Sequence, residues 1–396
     1  MVSLQTDYRP NIRVVERKTD AHLITEVVTT REGLDRMAGD WNELLCESEA
    51  DTIFLTWEWV STWLDTVYPD ARLFVVAVRD GRHQLIGVAP LYLSSMRAFN
   101  LLPFKCLRVL GDSQSGAEYG DLIIREGWGQ PAMKAIASCL ADARQEWDCL
   151  WLSSVAGWTG ARDRWAALLE RLDANQQWRP LDFTRIPLPD THSEYLAQLR
   201  GKSRRQLGRL GRRLGATGKV EFRQCHEEAE LSARLATLYD LHTRRWQSLG
   251  QEGSFARRPK LVEFNNQFSS LALSRGWLRL CTLHVADRPV AAVFGVARED
   301  ARYGLQTGFD PKVDGAGLLL WGEVMREMIG EGAAEFDFLR GSYDYKRYLG
   351  GEPRTGYEVF AGRRSLRNHL VFGLGLWVKG RCMCQGPPES FGCGHA

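Results

Sequence analysis

Acidic, phenolic and basic side chains crowd one short stretch of the sequence, FDFLRGSYDYKRYLG, at residues 336–350. Its four candidate catalytic groups lie in and just after a predicted strand: Asp337, Asp344, Tyr345 and Lys346. Proton-exchanging groups at the carboxyl end of a strand can serve proton transfer and oxyanion stabilisation. The alternative is a solvated turn whose Tyr rings pack on a sheet edge. Residue types alone do not separate these two interpretations.

A glycine-rich loop precedes this stretch, between a predicted strand over 301–307 and a predicted helix over 317–329. Glycine allows close approach to the backbone, and the first N–H groups of a helix attract anions. The sequence therefore predicts an anion-binding loop formed by Asp314, Gly315, Ala316, Gly317 and Leu318. Asp314 is the predicted N-cap of the helix. The alternative is a flexible connector ahead of a capped helix. The loop has neither the Walker lysine nor Gly-x-Gly-x-x-Gly spacing, so ATP and dinucleotides are not expected.

The order of predicted elements is shared by the two halves of the chain. The second half has helices over 193–213 and 228–249, a two-strand unit turning at Asp287-Arg288, then the strand, loop and helix above and a strand over 335–339. The first half has helices over 34–66, a hairpin around Asp80-Gly81, strands over 119–124 and 149–155, and helices over about 130–144 and 161–173. This order predicts two copies of one mixed α/β unit.

Three prolines, Pro180, Pro187 and Pro189, place the predicted linker at residues 179–190. We therefore expect an N-terminal arm over 1–29, domains over 30–185 and 186–362, and a C-terminal helix with a flexible tail over 363–396. The tail groups Cys382, Cys384, Cys393 and His395, but Cys-x-Cys is not the usual zinc-knuckle spacing, so no metal is expected. The apolar run 370–378 before it is too short to span a bilayer and fits an interfacial anchor or a docked helix.

Composition excludes several classes of protein. With 396 residues, 44% hydrophobic and 25% charged, the chain is neither disordered nor collagenous and has material for two or three domains. A formal net charge of +2 gives no global field for nucleic acid. The nine cysteines are mostly scattered through predicted helices and strands, which favours reduced thiols in a cytoplasm. The charged first residues do not resemble a signal peptide.

One local patch is strongly basic. Residues 195–219 contain eight basic residues and no acidic one. At helical spacing the leucines share an apolar stripe and the arginines lie mostly outside it. The basic helix 200–213 could face a phosphate-bearing acceptor, an anionic membrane surface or RNA, or it could be the solvated side of a packed helix. No aromatic-interleaved RNA motif accompanies it, so nucleic acid is not the expected partner, although tRNA stays open.

Short motifs in a fixed order carry a family resemblance. The second half has Gly308-Phe309-Asp310-Pro311, Gly315-x-Gly317-Leu318-Leu319, Phe336-Asp337-Phe338-Leu339-Arg340-Gly341 and Tyr345-Lys346. The first half has Phe54-x-x-Trp57-x-Trp59, Gly87-x-x-Pro90-Leu91 and Tyr119-x-Asp121. Across about residues 30–360 the chain resembles the CelD-type acetyltransferases, bacterial proteins of the GNAT (acyl-CoA N-acyltransferase) superfamily associated with cellulose or exopolysaccharide synthesis.

The resemblance implies an α/β fold class with two tandem GNAT-like domains, similar to the FemABX peptidoglycan aminoacyltransferases. In such folds two strands splay apart, and acyl-CoA lies in the opening with its pyrophosphate on the loop that begins the next helix. Here these would be strands 302–307 and 335–339 and the loop 314–317. The first domain would shape the acceptor cleft. The candidate substrate-binding residues are Trp57, Trp59 and Arg340, with packing in the core as the alternative role of the tryptophans.

The resemblance also implies roles for the candidate catalytic groups. Lys346 would assist the oxyanion, Tyr345 would protonate the thiolate, and Asp337 or Asp344 would accept the amine proton. Family members commonly carry an acidic pair directly after the glycine of Phe-Leu-Arg-Gly, where this chain has Ser342 and Tyr343.

The function implied is that of a cytoplasmic enzyme transferring an acetyl or longer acyl group from acyl-CoA to an amine of a sugar or envelope precursor, by direct attack within a ternary complex. No metal is expected, and membrane association stays open. The alternatives are a non-catalytic accessory protein of polysaccharide synthesis and a tRNA-dependent aminoacyltransferase.

Overall fold

The computed structural model describes residues 8–9, 12–16, 23–98, 102–112 and 115–363. These residues form two compact units: unit 1 contains the described residues up to Leu181 and from Thr355 onwards, and unit 2 comprises Asp182–Arg354. Beyond Arg363, the expected C-terminal helix and the cysteine-containing tail lie outside the described residues.

In the part that the structure describes, unit 1 combines two sheets with five α-helices. Its elements within the described residues are β1 (Tyr8–Arg9), β2 (Ile12–Glu16), β3 (Ile24–Val28), α1 (Arg31–Asp35), α2 (Ala38–Cys46), α3 (Trp57–Thr66), β4 (Arg72–Leu73), β5 (Val75–Arg79), β6 (Leu85–Ala89), β7 (Leu91–Ala98), β8 (Leu102–Val109), β9 (Ile123–Ile124), α4 (Gly129–Asp142), β10 (Cys149–Val155), α5 (Ala161–Arg171) and the first part of β11 (Ala174–Pro187). A short 3-10 turn at Ile53–Leu55 precedes α3.

The two sheets of unit 1 differ in strand direction. The first, β1-β2-β3-β5-β6-β9, is antiparallel throughout. The second contains β10-β8-β7-β4, in which β8 and β10 are parallel. Trp41, Trp59, Trp63 and Trp165 are completely buried, so these large rings supply much of the apolar area that stabilises unit 1.

Unit 2 follows the second predicted set of elements. It contains the second part of β11, α6 (His192–Gln198), α7 (Gly201–Gly215), β12 (Val220–Gln224), α8 (Glu228–Gln247), α9 (Ser254–Arg257), α10 (Pro259–Ser274), β13 (Leu278–Val285), β14 (Arg288–Arg298), β15 (Ala301–Phe309), α11 (Ala316–Gly330), β16 (Glu335–Arg340), α12 (Asp344–Tyr348) and the start of β17 (Glu352–Arg363). The remainder of β17 belongs to unit 1, where it pairs with β10.

The sheet of unit 2 has the order β12-β13-β14-β15-β16-β11, and only β15 and β16 are parallel. The apolar stripe of α7 is buried as its leucine spacing predicts, with Leu207, Leu210 and Leu214 in the same core cluster as α11. The predicted α/β class with mixed sheets is confirmed.

Three local expectations need correction. The predicted linker, residues 179–190, contains the boundary between the two units, but most of it belongs to an ordered strand, β11, in which Phe183 and Ile186 are buried and which pairs with β16. Strand pairing over 119–124 is confined to Ile123–Ile124. The predicted helix over 193–213 is two helices, separated at Leu199 and Arg200 by extended backbone angles.

The hairpin between β13 and β14 turns one residue earlier than expected. Ala286 and Asp287 both have positive φ, 49° and 57°. Two such residues form the turn whose twist matches that of a two-stranded hairpin.

Candidate functional site

An opening separates β15 from β16 in unit 2. The parallel register runs from Ala301↔Glu335 to Tyr303↔Asp337 and stops there, although both strands continue. On its other edge β15 stays paired with β14 as far as Phe309. Beyond Tyr303 the edge of β15 nearer β16 therefore has no partner strand among the described residues, which frees its backbone groups for a ligand.

Local irregularities in both strands produce this divergence. In β15 the register with β14 shifts so that Leu305 has no opposite residue, a bulge that bends and twists the strand. A Cβ at Gly304 would meet the rings of Phe336 and Trp321 at 3.1 Å. At the end of β16, Leu339 and Gly341 have positive φ values of 58° and 95°. The two strands therefore bend independently after Tyr303.

The glycine loop begins α11 at the end of β15. Gly315 has φ +79°, and a Cβ there would lie 2.3 Å from Cδ2 of Leu210. A Cβ on Gly317 would lie 2.8 Å from the ring of Phe309. The first intrahelical bond is donated by Leu319 N to Gly315 O, and Ala316 N already donates to Val313 O at 3.1 Å, so the amides of Gly317 and Leu318 precede the regular helical bonding pattern. Glycine is needed at both positions for the helix to start against β15 and α7.

The expected N-cap role of Asp314 is wrong. The N-cap is Gly315, which has no side chain to cap the helix. Arg213 of α7 contacts Asp314 instead, at 2.8 Å from the carboxylate and 2.5 Å from the carbonyl oxygen. This contact links the basic helix directly to the glycine loop.

Asp337 serves the structure of β16. Its side chain has no exposed surface; Oδ1 accepts a bond from Leu339 N at 2.7 Å, and Oδ2 lies 2.5 Å from Arg354. Arg354 also pairs with Glu335 at 2.7 Å. In this conformation Asp337 is not placed to accept a proton from an incoming amine.

Lys346 is also turned inward. It is 2% exposed, and Nζ donates to the carbonyl oxygens of Phe338, Arg340 and Gly341 at 2.8–2.9 Å. The carbonyl oxygen of Leu339 lies at 3.4 Å. The ammonium group thus donates hydrogen bonds to the carbonyl oxygens at the bent end of β16. This is a positioning role, because a lysine so engaged holds the strand end rather than facing a ligand.

Comparison with protein-family models identifies the domain that contains this opening. Residues 201–347 match the model described as the acetyltransferase (GNAT) domain. This segment is a GNAT acetyltransferase domain. GNAT domains use acyl-CoA, and the chain is an acyltransferase. Among curated proteins, none matches the chain significantly.

Solved structures with low sequence identity share the fold over most of the chain. FemX is 10% identical with a TM-score of 0.59, and the alignment covers 84% of this chain and 98% of FemX. The C-terminal domain of a putative lysylphosphatidylglycerol synthetase from Agrobacterium fabrum is 9% identical, with a TM-score of 0.52 and coverages of 90% and 98%. L-PGS from Bacillus licheniformis is 15% identical, with a TM-score of 0.51 and coverages of 85% and 96%.

Two phenolic side chains, Tyr343 and Tyr345, follow the end of β16. Tyr345 is 38% exposed, and its ring stacks on Tyr343 with the planes 13° apart. Although part of its side chain reaches solvent, burial raises the pKa of Tyr345, so the hydroxyl is protonated at neutral pH. The hydroxyl therefore carries a proton that a strong base such as a thiolate can take, and the raised pKa makes it a weaker acid than a solvated tyrosine.

The remaining predicted site residues of the GNAT domain face solvent or one aromatic ring. The Asp344 side chain is 90% exposed and pairs with Arg347. Asp337 is buried and Asp344 is exposed, so they do not form one carboxylate pair. The Arg340 guanidinium lies 5.9 Å from the ring centre of Phe183 in β11.

The two tryptophans proposed for substrate binding occupy different environments in unit 1. Trp59 has no exposed surface and packs edge-on against Phe54 at 5.0 Å, so its ring presents no face to a ligand. Trp57 is half-buried beside Trp41, and its backbone N–H donates to Asn42 at 2.9 Å. Of the two, Trp57 alone has a surface that an acceptor could contact.

Sequence reasoning missed His242, a buried histidine on α8. Ser254 N donates to its Nε2 at 3.2 Å, so the other ring nitrogen, Nδ1, carries the proton and donates to Thr307 O at 2.8 Å. Burial lowers its pKa. The sequence signal for its close packing was indirect and consists of two glycines, Gly253 and Gly308. A Cβ on Gly308 would lie 2.2 Å from the His242 backbone nitrogen, and a Cβ on Gly253 would lie 2.8 Å from the His242 ring. His242 thus fixes β15 against α8 beside the opening.

Within the part of the chain that the structure describes, no cluster of His, Cys, Asp and Glu has the arrangement of a metal site. None of the helices there combines the length and apolar character needed to cross a bilayer.

Proposed function

We propose that unit 2 transfers an acyl group from acyl-CoA directly to an amine, with both substrates bound at once. The observation that carries this proposal is the opening between β15 and β16 beside a helix that begins at Gly315. An extended thioester arm with amide groups can hydrogen-bond to the open edge of β15 as an added strand would. Its pyrophosphate would then meet the first turn of α11, where N–H groups and the helix dipole favour negative charge.

The chemistry needs few groups from the chain. The amine nitrogen attacks the thioester carbonyl carbon, the C–S bond breaks, and the thiolate takes a proton from the Tyr345 hydroxyl. The amine gives up its proton to solvent, and the Tyr345 phenolate regains one from solvent. Lys346 and Asp337 take no part in these steps. Their role is structural, because they hold the bent end of β16, which positions Tyr345. Holding the two reactants together supplies much of the rate enhancement.

The acceptor is the finer part of the proposal. The CelD-type resemblance supports an amino group of a sugar or envelope precursor, in the service of polysaccharide synthesis. Trp57 in unit 1 offers a half-buried ring of the kind that packs against a sugar face.

The direct test is calorimetric titration of the full chain with acetyl-CoA and longer acyl-CoAs, followed by measurement of free thiol release with amino sugars as acceptors. Binding in the micromolar range with acceptor-dependent thiol release supports the proposal. No binding at millimolar acyl-CoA would refute it.

The basic surface of α7 favours a second candidate. Six basic side chains there are exposed: Lys202, Arg204, Arg205, Arg209, Arg212 and Arg213. Because Arg213 contacts the glycine loop, a polyanion along α7 would reach the donor opening. The second candidate is therefore an aminoacyl-tRNA donor. Transfer from aminoacyl-tRNA that is abolished by raised salt, with none from acyl-CoA, would favour it over the first.

A further inference from the structure

A basic cavity of about 270 Å³ lies beside the glycine loop, on the side of β14. It is lined by Arg244, Gln247, Arg288, Asp310, Pro311 and Lys312. These residues come from three elements: the last turn of α8, the first residue of β14, and the segment between β15 and Gly315. The cavity therefore adjoins the loop where we place the donor pyrophosphate.

The charges in the cavity are arranged around one buried carboxylate. Asp310 is 2% exposed; its Oδ1 accepts a bond from Lys312 N at 2.9 Å, which shapes the loop. Its Oδ2 lies 3.5 Å from NH1 of Arg244 and 3.4 Å from NH1 of Arg288. Three cationic side chains thus share the cavity with one anionic side chain, an excess of two positive charges.

The donor groups in the cavity are only partly used. Both ion pairs with Asp310 are longer than good hydrogen bonds. Arg244 also pairs with Asp240, but its buried Nε–H has no acceptor among the described residues. Asp310 therefore holds two guanidinium groups in place, and a bound anion would complete their hydrogen bonding.

We propose that this cavity binds the phosphomonoester on the ribose of the acyl-CoA donor, its 3′-phosphate. The inference rests on the proposed function, because a donor with its pyrophosphate at Gly315 to Gly317 has a second phosphate one ribose away. Lys312 lies only three residues before Gly315, so the two anion sites are neighbours. Guanidinium forks and an ammonium match a compact dianion, and charge-assisted bonds to phosphate are among the strongest available.

The test compares the binding of CoA and 3′-dephospho-CoA to the full chain by calorimetry. We expect the wild type to bind CoA about tenfold or more tightly than 3′-dephospho-CoA, because one or two charge-assisted hydrogen bonds contribute on this scale. In Arg288→Ala and in Lys312→Ala the ratio of the two affinities should fall towards one. Both residues are exposed lining residues, so the fold should survive their truncation.

Arg275→Ala is the matched control, since it removes one exposed positive charge from the same unit. Arg275 lies at the end of the β13–β14 pair that is remote from the cavity. It follows α10 and precedes Leu278, which pairs with Val296. Arg288, which lines the cavity, pairs with Val285 at the opposite end of the same two strands. The affinity ratio of Arg275→Ala should equal that of the wild type.

Equal affinities for CoA and dephospho-CoA in the wild type would overturn the cavity assignment and leave the proposed function standing. A ratio unchanged in both cavity variants, with weaker binding of a phosphorylated acceptor, would also overturn it. If neither CoA nor dephospho-CoA binds, the proposed donor is wrong and the cavity assignment falls with it.

Discussion

The two units contain the same arrangement of strands around a parallel pair, and only one of them leaves the pair open. In unit 1, β8 and β10 are in register for Cys106↔Cys149 and Leu107↔Leu150. In unit 2, β15 and β16 are in register for three residue pairs. A helix, α4 or α11, lies between the two strands in sequence in each case.

The chain itself fills the gap in unit 1. The segment after β8 returns along β10: Gly120 N donates to Ser154 O at 2.9 Å, and Tyr119 N donates to Ser154 Oγ at 3.2 Å. Trp165 then donates to Gly120 O at 3.1 Å. The cavity that remains there measures about 10 Å³, enough for about one water molecule.

The loop after the first strand decides which gap stays open. In unit 2 the segment from Asp310 to Gly315 leads directly into α11. In unit 1, Tyr119 and Gly120 bond to β10 before the next helix begins. The same local pattern of strands can therefore give a ligand opening or a packed core.

Gly317→Asp should have the largest effect, because it closes the opening with a side chain and a negative charge. The new Cβ would lie 2.8 Å from the Phe309 ring, and the carboxylate would repel a pyrophosphate. Acyl-CoA binding measured by calorimetry should be undetectable at millimolar ligand. Gly330→Asp, at the open far end of the same helix, is the control and should bind normally. Normal binding by Gly317→Asp would contradict our placement of the donor.

Lys346→Ala should destabilise unit 2 because it leaves several buried carbonyl oxygens without their donor. We expect a loss of about 3 kcal/mol in the free energy of unfolding, measured with denaturant. Arg347→Ala, the exposed neighbour, is the control and should change stability little. A stable Lys346→Ala protein whose kcat alone falls by about 100-fold would instead support an oxyanion role.

Tyr345→Phe should lower kcat by about 100-fold without a comparable change in the affinity for acyl-CoA, since it removes a proton donor and keeps the ring. Tyr343→Phe keeps the stacked pair and removes the other hydroxyl, so it should retain most of its turnover. The measurement is acceptor-dependent thiol release. Equal losses in both variants would show that the stacked pair acts as a unit and would count against Tyr345 as the proton donor.

Acid should weaken unit 2 modestly through His242. Its pKa is lowered from its ordinary value of 6.5, so the unfolded chain binds the proton more readily than the folded one. The stability contribution is therefore present above pH 6.5 and lost as pH falls through the lower folded value. Unfolding of the wild type and of His242→Asn should be compared at pH 7.5 and 5.5. A wild type with no greater pH dependence than the variant would contradict this.

Sequence patterns predicted much of the fold because local spacing sets element type. The strand at 149–155 and the glycines that start α11 follow directly from apolar runs and turn residues. The partners of Lys346 and Asp337 could not be predicted, since the Lys346 side chain turns back from α12, and that of Asp337 along its own strand, towards the end of β16. β11 was missed because its proline spacing suggests a linker, and only burial of Phe183 shows it to be a strand.

The chain enters unit 2 within β11 and returns to unit 1 within β17, which sets the order in which the two units can be completed during synthesis. Unit 2 is complete in sequence at Arg354, whereas β10 of unit 1 receives its partner β17 only when residues 357–362 emerge from the ribosome. Unit 2 can therefore acquire its structure while unit 1 still exposes one edge of a sheet. Chains terminated shortly after Arg354 should contain a folded unit 2 and an unfinished, aggregation-prone unit 1.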